Sequence, residues 1–73
     1  MSHIAPFTLV RTTIGKEAIK KYYNKELRED KNYLFLSEIS NQPEHCMIYD
    51  IQRERILGPY HCVEFRICTE EEI

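Results

Sequence analysis

The feature that most constrains this chain is the stretch 33–66, in which short apolar runs alternate with turn-forming residues. Within 33–39 the residues Leu34, Phe35 and Leu36 are consecutive, which is typical of a strand buried on both faces. After this strand, a turn at 41–44 and a break at Gly58-Pro59 separate the remaining apolar residues into further short runs. Short strands joined by tight turns predict an antiparallel sheet.

The predicted sheet has four to five short strands, at about 7–13, 33–39, 46–51, 55–57 and 66–68. One N-terminal helix is predicted at about 15–29, with Thr13 as its cap. Its apolar stripe is centred on Ile19, Tyr23 and Leu27. These elements predict an α+β fold with a small antiparallel sheet, and an SH3-like, partly open sheet is one arrangement that the pattern allows.

The length of 73 residues predicts a single domain over 1–73, with flexible ends at 1–6 and 69–73. A core of this size leaves only about 3–5 kcal/mol of net stability, so a homodimer contact remains possible. No apolar run approaches the roughly 20 residues of a membrane span, and no secretory pattern follows Met1. A soluble, cytoplasmic protein without a membrane contact is therefore expected.

The cysteines Cys46, Cys62 and Cys68 are odd in number, which indicates free thiols in a reducing compartment. The dipeptides His45-Cys46 and His61-Cys62 invite a zinc hypothesis. However, adjacent residues of a strand point to opposite faces, so each dipeptide offers one ligand easily. No metal and no other cofactor is predicted, and packed thiols are the simpler interpretation.

Catalytic signatures are lacking in the sequence: it has no Ser-centred elbow, phosphate-binding loop or dinucleotide fingerprint. A nucleophilic cysteine needs an oriented base and a cleft, for which a chain this short has little material. The prediction is a protein that is not an enzyme and has no catalytic residues.

Charge is divided unevenly along the chain. Residues 1–36 have a net charge of +3 and residues 37–73 a net charge of −5, and every lysine lies before residue 32. The lysine-rich helix is interpreted either as a solvated face or as a docking surface for an acidic protein segment or phosphates. The predicted protein-binding residues are Arg11, Lys16, Lys20, Lys21, Tyr22 and Lys25.

A nucleic-acid-binding barrel that uses tyrosine and arginine side chains is the alternative function. The pI of about 5.9 disfavours it, because such domains are usually basic. Inhibition of some other protein by direct contact is a further alternative, and the residues do not separate it from docking by the lysine-rich helix.

Several short motifs in the second half resemble those of small bacteriophage-encoded proteins. They are Phe35-Leu36-Ser37-Glu38-Ile39, Asn41, Pro43, His45-Cys46, Tyr49-Asp50, Gly58, Tyr60-His61, Glu64-Phe65-Arg66 and Thr69-Glu70-Glu71-Glu72. In size and layout the chain is similar to the phage regulators that bind host bacterial RNA polymerase. The resemblance implies inhibition of promoter initiation, terminator read-through, and contact with the N-terminal part of the β′ subunit. It assigns no individual residue to that contact.

Overall fold

A five-stranded antiparallel sheet and one short helix make up the computed structural model, which describes residues 4–22 and 26–73. Strand β1 is Leu9–Thr12, helix α1 is Lys16–Tyr22, and β2 is Tyr33–Ile39. Strands β3, β4 and β5 are Gln42–Asp50, Arg55–His61 and Phe65–Ile67. Short 3-10 helices span Cys62–Glu64 and Glu70–Glu72. The predicted α+β class with a small antiparallel sheet is confirmed.

The strand order is β4-β3-β2-β1-β5, so strands that are neighbours in sequence, β4 and β5, lie at opposite edges of the sheet. In a flat sheet these edges would be about 19 Å apart, given a spacing of roughly 4.8 Å. The chain passes from His61 to Phe65 in a span of at most about 14 Å. The sheet must therefore curl, and hydrogen bonds from the Thr13 amide (2.7 Å) and the Thr12 hydroxyl (2.9 Å) to the Glu64 carbonyl tie the connection to β1.

The core lies on one face of this curled sheet. Its members, each no more than 6% exposed, are Val10, Ile19, Leu27, Tyr33, Phe35, Cys46, Ile48, Leu57, Tyr60 and Phe65. Helix α1 contributes Ile19, and the connector that follows the helix contributes Leu27. The sheet therefore buries one of its faces beneath helix α1 and the connector that follows it.

The helix is shorter than predicted. It begins after Gly15, whose carbonyl accepts the Ile19 amide at 3.1 Å, and within the described residues it spans Lys16–Tyr22 and does not reach 26–29. Residues 26–29 are not helical, and the Arg28 amide donates to the Tyr33 hydroxyl at 2.8 Å instead of to a helical carbonyl. Tertiary packing of Leu27 outweighs the local helix propensity of the connector. Tyr23, part of the predicted stripe, is outside the described residues.

The largest differences from the predicted strand boundaries are the start of β3 and the end of β4. Strand β3 begins at Gln42, so Pro43 lies in the strand rather than in a turn. The β3–β4 ladder starts at the pair His45–His61, which means that the missing N–H of Pro43 costs no bond to β4. Strand β4 does not stop at Gly58-Pro59 but continues to His61 through a register shift opposite residues 46–48.

Gly58 makes this shift possible. Its φ of +133° is a conformation that other residues rarely adopt. A Cβ atom there would lie 2.9 Å from Met47 Sδ and 3.0 Å from the Cys46 carbonyl oxygen. The glycine therefore acts as a bulge residue inside an edge strand and not as a terminator.

Candidate functional site

A groove of about 650 Å³ separates α1 from the connector that leads into β2. Its lining residues are Lys16, Ile19, Lys20, Leu27, Arg28, Glu29, Asp30, Lys31 and Gln52. The core residues Ile19 and Leu27 lie among charged side chains here, and they supply its apolar part. A groove with an apolar base and charged walls is suited to an amphipathic or acidic peptide segment.

Two lysines on one turn of α1 form one wall of the groove. Lys16 and Lys20 are four residues apart, so they lie on the same side of the helix. Both residues are exposed, and no described carboxylate forms an ion pair with either. Their charges are available to a ligand in the groove.

The opposite wall is the connector, with Arg28 and Lys31 as its cations and Glu29 and Asp30 as its anions. This wall is fixed by the Tyr33 hydroxyl, which accepts the Arg28 amide at 2.8 Å. Lys31 Nζ lies 5.6 Å from the centre of the Tyr33 ring, a distance that allows a cation–π contact. The sequence does not reveal this wall, because it forms only when the connector folds back on α1.

Lys31 is held by a buried carboxylate. Its Nζ lies 2.7 Å from Asp50 Oδ1, and the Asp50 side chain is fully buried. The Arg53 amide donates to the same oxygen at 3.1 Å, and Arg53 Nε lies 3.8 Å from Oδ2. Burial by itself raises the pKa of Asp50, but the Lys31 hydrogen bond, the Arg53 amide and both positive charges outweigh it and lower the pKa. Lys31 therefore links the groove wall to the β3–β4 loop.

Among the predicted binding residues whose side chains the structure describes, Arg11 lies apart from the helix lysines. Lys16 and Lys20 line the groove, whereas Lys21 is exposed on α1 outside the groove lining. Tyr22 is the last residue of α1, and Lys25 is outside the described residues.

Arg11 lies on the other face of the sheet from the groove. Its neighbour Val10 packs into the core with Ile19, and adjacent strand residues point to opposite faces. Arg11 Nη1 is 3.3 Å from Glu72 Oε2, and its Nε donates to Asn32 Oδ1 at 2.7 Å. The structure thus separates Arg11 from the helix lysines with which charge alone grouped it.

The two His-Cys dipeptides meet across the β3–β4 ladder. His45 pairs directly with His61, and their ring centroids are 4.4 Å apart. Burial raises the pKa of the Cys46 thiol to about 12, and the nearby Cys62 thiol adds to the effect. Within the described ranges, no group of three or more His, Cys, Asp or Glu side chains is placed to hold a metal ion.

The three tyrosine side chains whose burial the structure describes offer little stacking surface. Tyr33 and Tyr60 are core residues, and Tyr49 is half-buried on the sheet. Burial raises the pKa of Tyr60 to about 12. Bases stack on exposed rings, so these three side chains give the nucleic-acid alternative little support.

No protein-family model matches this chain, and no significant match is found among curated proteins or solved structures. Among the described residues, no helix is long and apolar enough to cross a membrane. The groove and the charges around it are therefore the features of this chain that point to a function.

Proposed function

We propose that this protein is a non-enzymatic regulator that binds host bacterial RNA polymerase in the host cytoplasm. The groove between α1 and the connector receives an acidic segment of the polymerase. The observation that carries the proposal is the wall formed by Lys16 and Lys20, whose charges no described carboxylate neutralises. Such unpaired cations favour an anionic partner and speed its association.

The identity of the partner rests on the resemblance to phage regulators described above. By that resemblance, the contacted region is the N-terminal part of the β′ subunit. Binding there inhibits initiation at host promoters and promotes read-through of terminators. Direct nucleic-acid binding is not part of the proposal, because the chain has a net charge of −2.

We also propose that the curled sheet is an SH3-like, partly open barrel. Support comes from the strand order β4-β3-β2-β1-β5 and from the 3-10 helix that joins β4 to β5. The free edges give little support for partner-strand addition. Strand β5 is only three residues long, and β4 contains Pro59, both of which are features that protect sheet edges.

The proposal is tested with purified bacterial RNA polymerase core enzyme and a matched pair of variants, Lys20→Gln and Lys21→Gln. Both changes remove one lysine charge from the last turn of α1, but only Lys20 lines the groove. Biolayer interferometry should show roughly tenfold weaker binding for Lys20→Gln and about wild-type binding for Lys21→Gln. Equal effects of the two changes would place the contact outside the groove.

A second variant, Lys16→Glu, reverses a groove charge without harming the helix. A carboxylate at the first helical position interacts favourably with the helix dipole, so unfolding is not the expected cause of a loss of binding. Transcription in vitro should show inhibited initiation and increased read-through with wild-type protein, and weaker effects with Lys16→Glu. If the wild-type chain does not bind the polymerase at all, the proposed partner is wrong.

A further inference from the structure

Two arginines on the sheet face opposite the groove are paired directly across the ladder. Arg11 of β1 is the register partner of Arg66 of β5. Like charges in this position are destabilising, because their Cβ atoms are only about 5 Å apart. An anion between the two guanidinium groups offsets this repulsion, and Glu72 supplies it.

The Glu72 carboxylate is bound in the manner of a ligand. Arg66 donates two hydrogen bonds to it, from Nη1 to Oε1 at 2.7 Å and from Nη2 to Oε2 at 2.6 Å. Arg11 Nη1 lies 3.3 Å from Oε2, and the Thr69 amide donates to Oε1 at 2.9 Å. The parallel bonds from Arg66 are the bidentate arrangement by which arginine recognises carboxylates and phosphates.

The two cations and the anion belong to different parts of the chain. Arg11 and Arg66 lie on strands, and Asn32 orients Arg11 by accepting its Nε–H at 2.7 Å. Glu72 lies in the 3-10 helix Glu70–Glu72, which follows the last strand. The tail is attached by the Asn32 side chain, which donates to the Glu72 carbonyl at 2.7 Å, and by the carboxylate itself. The cation pair is therefore preformed on the sheet, and the tail brings the anion to it.

The cluster is also accessible. Access is through Arg66, whose side chain is 44% exposed, whereas the Arg11 and Glu72 side chains are 22% and 18% exposed. Ion pairs at such exposure contribute little to stability, since water and salt compete with them. A second anion can approach Arg66 from solvent and compete with Glu72.

We propose that Arg11 and Arg66 form a carboxylate-binding site that the chain's own Glu72 occupies until an acidic peptide segment of a partner displaces it. The segment 69–73 is then a built-in competitor. Its carboxylate has a high effective concentration at the site because it is attached to the adjacent strand. A ligand with several acidic residues gains further contacts and replaces it. The site is independent of the groove, because it lies on the other face of the sheet.

The test uses Glu72→Ala and its matched control Glu71→Ala, which remove the same charge from the same 3-10 helix. Glu71 makes no described contact with either arginine. The probes are the synthetic peptide Thr-Glu-Glu-Glu-Ile, which copies residues 69–73, and inorganic phosphate. Binding is followed by the shifts of the Arg11 and Arg66 Nε–H signals in ¹⁵N NMR spectra.

Glu72→Ala should bind the peptide about tenfold more tightly than wild type, since the competing carboxylate is gone. Glu71→Ala should remain within about twofold of wild type. The proposal requires that Arg66→Gln in the Glu72→Ala background abolishes the gain. It is overturned if Glu72→Ala and Glu71→Ala behave alike, or if the gain survives Arg66→Gln. If the site binds phosphate but not the peptide, the proposal that its ligand is an acidic peptide segment is wrong.

A wild-type measurement covers the case in which Glu72→Ala does not fold. High concentrations of the peptide should shift the backbone amide signals of residues 69–73 as the tail is displaced. Unchanged tail signals at saturating peptide would overturn the proposal. Lys16→Glu should leave all of these results unaltered, so failure here and failure of the groove proposal are distinguishable.

Discussion

Asp50 and Glu72 are carboxylates that each join two cations, but their surroundings differ. Asp50 is fully buried between Lys31 and Arg53, whereas Glu72 is only partly buried between Arg66 and Arg11. Removing one partner of a buried pair leaves an uncompensated charge, while a surface pair can exchange its partner for water or another ion. The buried cluster therefore stabilises the fold, and the exposed cluster is the one that can change partners.

The largest effect is expected for Asp50→Ala. We expect it to lower the free energy of unfolding by about 3 kcal/mol, because Lys31 and Arg53 lose their shared anion. Such a loss is comparable to the whole stability of a domain this small, so the variant should be mostly unfolded. Urea denaturation followed by circular dichroism measures the change. Asp30→Ala, at an exposed position of the same connector, should stay within about 0.5 kcal/mol of wild type.

A smaller effect is expected for Tyr33→Phe. This change tests whether the Tyr33 hydroxyl holds the connector that forms one wall of the groove. The Arg28 amide loses its acceptor at 2.8 Å, and the free energy of unfolding should fall by about 1 kcal/mol. Tyr49→Phe is the matched control, since no described hydrogen bond involves the Tyr49 hydroxyl. If both variants lose the same stability in urea denaturation, the Tyr33 hydroxyl does not hold the connector.

Acid should weaken the exposed cluster. The Arg66 hydrogen bonds, the Thr69 amide and the nearby arginine charges lower the pKa of Glu72 from 4.5 to about 2. A lowered carboxyl pKa means that the stabilisation is complete above about pH 4.5 and is lost as the pH falls through about 2. The difference in melting temperature between wild type and Glu72→Gln should therefore shrink over this range. It should also shrink in about 1 M NaCl. A difference independent of pH would contradict the role assigned to the charge.

The smallest effect is local and concerns Cys68 beside the exposed cluster. Its Sγ lies 3.5 Å from Asn32 Oδ1, and burial followed by the Glu72 charge raises the pKa of the thiol. Glu72→Ala removes that charge and loosens the tail, so alkylation of Cys68 should accelerate by roughly a few-fold. Cys46 is fully buried and should react slowest in either protein. Mass spectrometry after iodoacetamide treatment measures each rate, and Glu71→Ala should leave the Cys68 rate unchanged.

The local pattern of apolar and turn-forming residues was sufficient to predict much of the fold. The run 33–39 coincides with β2, and the α+β class with a small antiparallel sheet follows from short strands and turns. The length of the helix could not be predicted from local pattern. Leu27 has the spacing of a helical apolar stripe, but it is equally able to enter the core from a non-helical connector. Similarly, Pro43 and Gly58 are turn formers by composition, and only the ladder register shows that strands accommodate them.

The candidate sites were predicted less completely than the fold. The lysine-rich helix was evident from charge, and Lys16 and Lys20 do line the groove. Arg28 and Lys31 were missed, because no spacing rule relates a connector to the helix before it. The Arg11–Arg66 pair was missed for a related reason: these residues are 55 positions apart and meet only because β5 returns to β1.

By itself, the sequence determined which segments are apolar enough to be strands and that positive charge lies in the first half. These are local or additive properties, and short-range sterics and composition set them. The tertiary structure alone decided which charges are neutralised and which remain available. That outcome depends on distances between residues far apart in sequence, and the curl of the sheet and the path of the connector set those distances. In this protein they leave Asp50 fully buried and Glu72 only partly buried.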